Sequence, residues 1–122
     1  MQSKESREMY LEVILKLSEK NDVVRSIDIA NELNYSKPSI SRAMKVLKQE
    51  GYITQLPYGD IKLTQKGLEK AKKIYNIHNL ITDFLVKTLK IDKITAEKDA
   101  CRIEHVISQE TVDAIEQYLI DN

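Results

Sequence analysis

Cys101, Glu104 and His105 supply a thiol, a carboxylate and an imidazole at i, i+3 and i+4. In a helix all three share one face within a single turn. That is a set of metal ligands rather than a packing surface, and three such donors leave a first-row divalent ion with positions that other segments must fill. Ala100, Ile103 and Ile107 form an apolar stripe at the same spacing, offset from the first. The segment therefore reads as a helix with one core face and one ligand face. A small buried thiol beside a solvated Glu and His is the plain alternative, and the triplet alone does not choose between them.

The elements that must position such a site come from the rest of the chain. At 122 residues it is long enough for one compact domain, or two small ones sharing a core. An apolar fraction of 42% and a charged fraction of 31% suit a soluble protein, and 3 Gly with 2 Pro argue against a loop-rich all-β fold. With 19 basic and 19 acidic residues the net charge is zero, so any attraction to nucleic acid must be local. No apolar run could span a membrane and the polar N-terminus is not a signal peptide, so the expectation is a cytoplasmic protein without a membrane partner. There a single Cys stays reduced and able to ligate metal.

Residues 4–20 predict a helix carrying Met9, Leu11, Ile14, Leu15 and Leu17, with Met9 and Glu12 three apart on one face. Ser26 is expected to cap a short second helix over 27–33, with Ile27, Ala30 and Leu33 as its apolar positions. After a turn at Asn34-Tyr35, Ser36 caps a third helix with Pro38 in its first turn, running to about Glu50 and closed by Gly51. Its outward face, from Lys37 to Lys48, holds four cations and no acid. Residues 52–56 and 61–63, separated by Pro57-Tyr58-Gly59-Asp60, read as a β-hairpin. A long fourth helix, about 65–89, starts after Thr64 and contains His78; a fifth, about 94–107, carries the ligand face; Ser108 caps a sixth with Val112, Ile115 and Leu119 as its stripe.

Two short helices, a tight turn, a basic helix and a hairpin predict a winged helix-turn-helix. The third helix would enter the major groove of double-stranded DNA, and the wing near Tyr58 would straddle the backbone. Arg42 and Lys45 could reach bases or phosphates. Ser36, Ser39 and Ser41 could bond phosphate oxygens beside Lys37 and Pro38, and Ser26 offers a second helix N-terminus. A solvated basic helix that meets a protein instead is the competing reading. Small polar and basic side chains at the start of this helix favour the groove.

Four segments then carry a family resemblance: Glu8–Glu12, Ser36–Ser41, Leu63–Gly67 and Ala100–Ser108. In order and spacing they resemble the diphtheria toxin repressor family of metal-dependent, iron- or manganese-responsive transcriptional regulators, over nearly the whole chain. The resemblance implies a mainly α fold: a winged helix-turn-helix domain (1–64) followed by an α-helical metal-binding and dimerisation domain (65–122). A divalent co-repressor would bind between the two. It implies Met9, Cys101, Glu104 and His105 as the primary site of the iron-responsive branch. Glu12 and His78 match positions that bind metal in the manganese-responsive branch, where Met9 would be Asp and Cys101 would be Glu. His78 also matches an ancillary ligand of the iron branch, but Thr82 stands for a Glu and Glu97 for a His there. The resemblance is to a short form of the family, expected to be without the SH3-like domain of the longer members.

The donor chemistry points the same way. Thioether and thiolate are soft and favour Fe(II), Co(II), Ni(II) or Zn(II) over Mn(II); affinity alone ranks Ni(II) and Zn(II) above Fe(II), and availability in a reduced cytosol points to Fe(II). The expected function is a homodimeric repressor that binds operator DNA when metal-loaded and controls metal-homeostasis genes. Binding at a hundredfold excess over the dissociation constant is worth about 2.7 kcal/mol, enough for a switch. A winged-helix regulator answering Mn(II) or a non-metal ligand is the alternative, with Met9 packed in a core and His78 merely buried. A metal hydrolase is not expected, since there is no His-Glu-x-x-His pattern, nucleophile elbow or phosphate-binding Gly loop.

Overall fold

The protein is described by a computed structural model covering residues 4–57 and 59–122, so the expected wing contact Tyr58 lies outside the described residues. Among these residues the order is α1 (Lys4–Lys20), α2 (Ser26–Leu33), α3 (Lys37–Gln49), β1 (Ile53–Gln55), β2 (Ile61–Leu63), α4 (Gln65–Leu89), α5 (Lys93–Ile103) and α6 (Gln109–Asp121). Two compact units divide within α4, after Lys72. The fold is mainly α, a winged helix-turn-helix followed by a helical unit.

In the first unit, Leu11 and Ile14 of α1, Ile29 of α2, Ile40, Met44 and Leu47 of α3, and Ile53 and Ile61 of the hairpin are fully buried. Each contributes about 1.5–3 kcal/mol relative to exposure. The hairpin is antiparallel, pairing Ile53 with Leu63, Thr54 with Lys62 and Gln55 with Ile61. Ion pairs tie α1 to later segments: Arg7 Nη1 lies 3.2 Å from Glu50 Oε2, and Lys70 Nζ lies 3.6 Å from Glu8 Oε2. The Tyr10 and Tyr35 rings meet edge to face at 6.4 Å, and burial, then the Tyr35 phenol, raise the Tyr10 hydroxyl above the ordinary phenol range.

Local chemistry explains the helix ends. Ser36 Oγ accepts the Ser39 N–H at 3.3 Å, Asn34 stops α2 in the left-handed region at φ 58°, and Gly51 at φ 82° follows α3. The start of α2 differs from expectation. Arg25 is its N-cap and donates its N–H to Asp28 Oδ2 at 2.9 Å, so Ser26 is the first helical residue. The helix start is held instead by the Asp28 carboxylate, which reaches back to the N-cap N–H, the reciprocal half of a capping box. The helix is also rotated, with Ile29 and Ala30 buried and Ile27 exposed.

In the second unit Ile74, Ile81, Ala96, Ala100, Val112 and Ile115 are buried. Asp92 caps α5 through the Ile94 and Thr95 N–H groups, and Ser108 caps α6 through Thr111. The fifth helix ends at Ile103, earlier than expected. The N–H groups of Val106 and Ile107 both turn back to the Ile103 carbonyl, at 3.0 Å each, which closes the helix before the next cap.

Candidate metal centre and nucleic-acid interface

Because α5 stops at Ile103, Glu104 is its C-cap and His105 lies in the turn beyond. The Glu104 side chain is fully buried. A buried carboxylate needs partners, and imidazoles stand at both of its oxygens. His78 Nδ1 of α4 lies 2.9 Å from Oε2, and His105 Nε2 lies 3.3 Å from Oε1. An ionised Glu104 accepts from His78 Nδ1, which places the proton of that imidazole on Nδ1. The lone pair then sits on His78 Nε2, the nitrogen suited to ligation. Cys101 is half-buried, and its Sγ falls within 4.8 Å of a Glu104 oxygen. Thr82 donates to the His78 carbonyl at 2.8 Å, one turn along α4. The structure thus gathers His78, Cys101, Glu104 and His105 within the second unit.

Met9 and Glu12 belong to α1 in the first unit. Met9 is half-buried against the core of that unit. Glu12 is 3% exposed; its Oε1 lies 3.6 Å from Lys16 Nζ, and its Oε2 is buried without a hydrogen-bond partner among the described residues. An orphaned carboxylate oxygen is costly and is what a cation ligand looks like before its cation is counted. Within the second unit, the thiol, imidazoles and buried carboxylate are donors that suit a divalent transition metal.

On α3 the buried face is Ile40, Ala43, Met44 and Leu47. That leaves Lys37, Pro38, Ser41, Arg42, Lys45 and Lys48 exposed, with Ser39 half-buried. A chain of side-chain hydrogen bonds runs along the start of the helix: Ser36 Oγ to Ser39 Oγ at 2.8 Å, and Arg42 Nη2 to Ser39 Oγ at 3.4 Å. It braces the guanidinium at low entropic cost. Ser26 is half-buried in the first turn of α2. Asp60, which the sequence reading passed over, is buried at the end of the hairpin turn; an acid beside Pro and Gly gave no signal of burial.

Residues 3–61 match the iron dependent repressor, N-terminal DNA binding domain, and residues 64–121 match the iron dependent repressor, metal binding and dimerisation domain. The chain belongs to the iron-dependent repressor family. An HTH-type transcriptional regulator of Methanocaldococcus jannaschii is 36% identical over 116 residues, 94% of this chain and 93% of the relative. The transcriptional regulator MntR of Salmonella typhimurium is 32% identical over 105 residues, 86% of this chain and 66% of the relative. Among solved structures, the manganese regulator SloR superposes with a TM-score of 0.82 at 29% identity, covering 93% of this chain and 53% of its own. The chain therefore spans about half the length of that regulator. The family is one of transcriptional regulators, not enzymes.

Proposed function

We propose that this iron-dependent repressor family member is a metal-dependent transcriptional repressor that binds double-stranded operator DNA as a homodimer when loaded with Fe(II). The observation carrying the proposal is the buried Glu104 carboxylate with an imidazole at each oxygen and the Cys101 thiol beside it. Met9, Glu12, His78, Cys101, Glu104 and His105 would hold the ion, which supplies the positive charge that the buried Glu12 and Glu104 carboxylates call for. Two sulfurs in the set favour Fe(II), Co(II), Ni(II) or Zn(II) over Mn(II).

The chain's own residues do the rest. Ser36 and Ser39 hold Arg42 at the start of α3, where Lys37, Pro38, Ser41 and Lys45 would face the groove. Ser26 would meet a phosphate at the start of α2, and Tyr58 would serve the wing. The second unit supports the dimer. An open apolar groove lined by Phe84, Leu89, Ala114, Ile115 and Tyr118 is a surface on which a second copy would pack.

A second reading, Mn(II) as co-repressor, is favoured by two relatives: the MntR regulator and the manganese regulator SloR. Anaerobic titration of the wild-type chain with Fe(II), Co(II) and Mn(II), read by operator binding, separates the two. Activation by Fe(II) and Co(II) at least about tenfold below the Mn(II) concentration supports the sulfur-set reading. Equal potency favours Mn(II), and binding unaffected by chelator overturns metal control altogether.

A further inference from the structure

The wing is built from strands of three residues each, and an isolated hairpin of that size is marginally stable. Something besides β1–β2 pairing must hold its turn in place. The turn closes on itself through the Gly59 N–H to the Leu56 carbonyl at 2.7 Å and the Leu56 N–H to the Asp60 carbonyl at 3.0 Å. Leu56 and Pro57 are exposed, yet the Asp60 side chain next to them is 7% exposed. Placing a carboxylate there costs free energy unless it is partnered. Lys62 Nζ stands 3.9 Å away but is 65% exposed, so that pair contributes little. The specific partner is the Val24 N–H, 3.3 Å from Asp60 Oδ1. Val24 is buried, and its carbonyl accepts the Ile61 N–H at 2.7 Å.

Consecutive residues of the wing therefore grip both polar groups of one residue in the α1–α2 connection, two positions before α2 begins. We infer that Asp60 is a positioning residue for DNA binding: its carboxylate clasps the wing turn to the root of the helix-turn-helix and so sets where the wing meets the DNA backbone. The inference rests on the DNA-binding reading above. A bystander carboxylate satisfying one buried N–H is the competing account. It predicts a loss of stability, with no change in which part of the DNA is contacted.

The test uses the full chain with Asp60→Ala and Asp60→Asn, the second retaining an oxygen acceptor for Val24. The probe is a duplex selected by the wild-type protein from a random pool, at temperatures where all three proteins are folded. For Asp60→Ala the expected results are about fivefold weaker binding and a salt slope shallower by about 1, as when one phosphate contact is lost. Hydroxyl-radical protection should disappear at the edges of the site and persist at its centre. Asp60→Asn should stay within about twofold of wild type with an intact footprint. Amide exchange without DNA should quicken at Val24, Leu56 and Gly59 in the Ala variant and not in the Asn variant. This second measurement tests the clasp even if the wild-type chain selects no duplex, a result that would count against the DNA-binding reading and not against the clasp. Unchanged exchange at those amides, or an unaltered footprint and slope for a folded Asp60→Ala, overturns the inference.

Discussion

Glu12→Met should make the metal-free protein more stable and the metal-loaded protein less so. In α1 the Glu12 carboxylate is buried, with one oxygen orphaned among the described residues and the other 3.6 Å from Lys16, whose side chain is 47% exposed. An unsatisfied buried polar group costs about 1–3 kcal/mol, while a half-exposed i, i+4 pair returns only about 0.3–0.5 kcal/mol. Methionine has similar volume and good helix propensity. The metal-stripped variant should therefore gain about 1–2 kcal/mol, a rise in Tm of about 4–8 °C for a chain of this size. With metal at a hundredfold excess over its dissociation constant, wild type should gain about 2.7 kcal/mol, and the variant, one donor short, less than about 1 kcal/mol. Thermal unfolding in EDTA and in anaerobic Co(II) reads both. Two results refute the reasoning. A stripped variant less stable than stripped wild type means the Glu12 oxygen is satisfied, and an undiminished metal increment means Glu12 is not a ligand.

Arg42→Ala should weaken operator binding while leaving metal affinity within about twofold. A phosphate contact shows as a salt slope smaller by about 1, and a base contact as about 1–3 kcal/mol lost at one position. The double change Met9→Asp and Cys101→Glu should make Mn(II) an effective co-repressor and lower the preference for Co(II) over Mn(II) by at least about tenfold, or about 1.4 kcal/mol, in anaerobic titration. Each single change should do less, since each leaves one sulfur. Gly67→Ala should cost about 3 kcal/mol in urea unfolding, because its Cβ would collide with the Tyr52 carbonyl oxygen; Gly51→Ala, with open space around it but φ 82°, should cost about 1 kcal/mol. Sedimentation at micromolar concentration should find a dimer, and a monomer with and without metal would remove the basis for reading the groove beside Tyr118 as an interface.

What was legible in the sequence was mostly what neighbouring residues decide. Ser36, Ser108 and Thr64 cap helices because a hydroxyl meets an N–H three residues on, and Asn34 and Gly51 take backbone angles few other residues tolerate. The same local logic misassigned the cap of α2, where the equally local Asp28 outcompeted Ser26 from the other direction. It also overran α5, because nothing in Glu104-His105-Val106 announces that two N–H groups will share the Ile103 carbonyl. The ligand types at Cys101, Glu104 and His105 were visible from spacing. That His78, 26 residues before Glu104, bonds its carboxylate was visible only as a resemblance, since helix packing brings them together. The burial of Met44 was there to be read, since Ile40, Ala43, Met44 and Leu47 stand at i, i+3, i+4 and i+7; that of Asp60 left no trace, because it lies in a turn that composition marks as exposed.

The bare basic face of α3, set in a chain of zero net charge, has a kinetic consequence. A molecule without net charge is drawn to a duplex through local patches such as this face, and at a screening length of about 10 Å in 0.1 M salt the pull is felt only near contact. Idle copies should therefore spend their time free in solution rather than parked along the chromosome, where a uniformly basic protein would be held by any stretch of phosphates. Such a pool arrives at its site by many brief collisions instead of long slides. It also empties from that site without being recaptured nearby, so occupancy can follow the loaded fraction downward as quickly as upward.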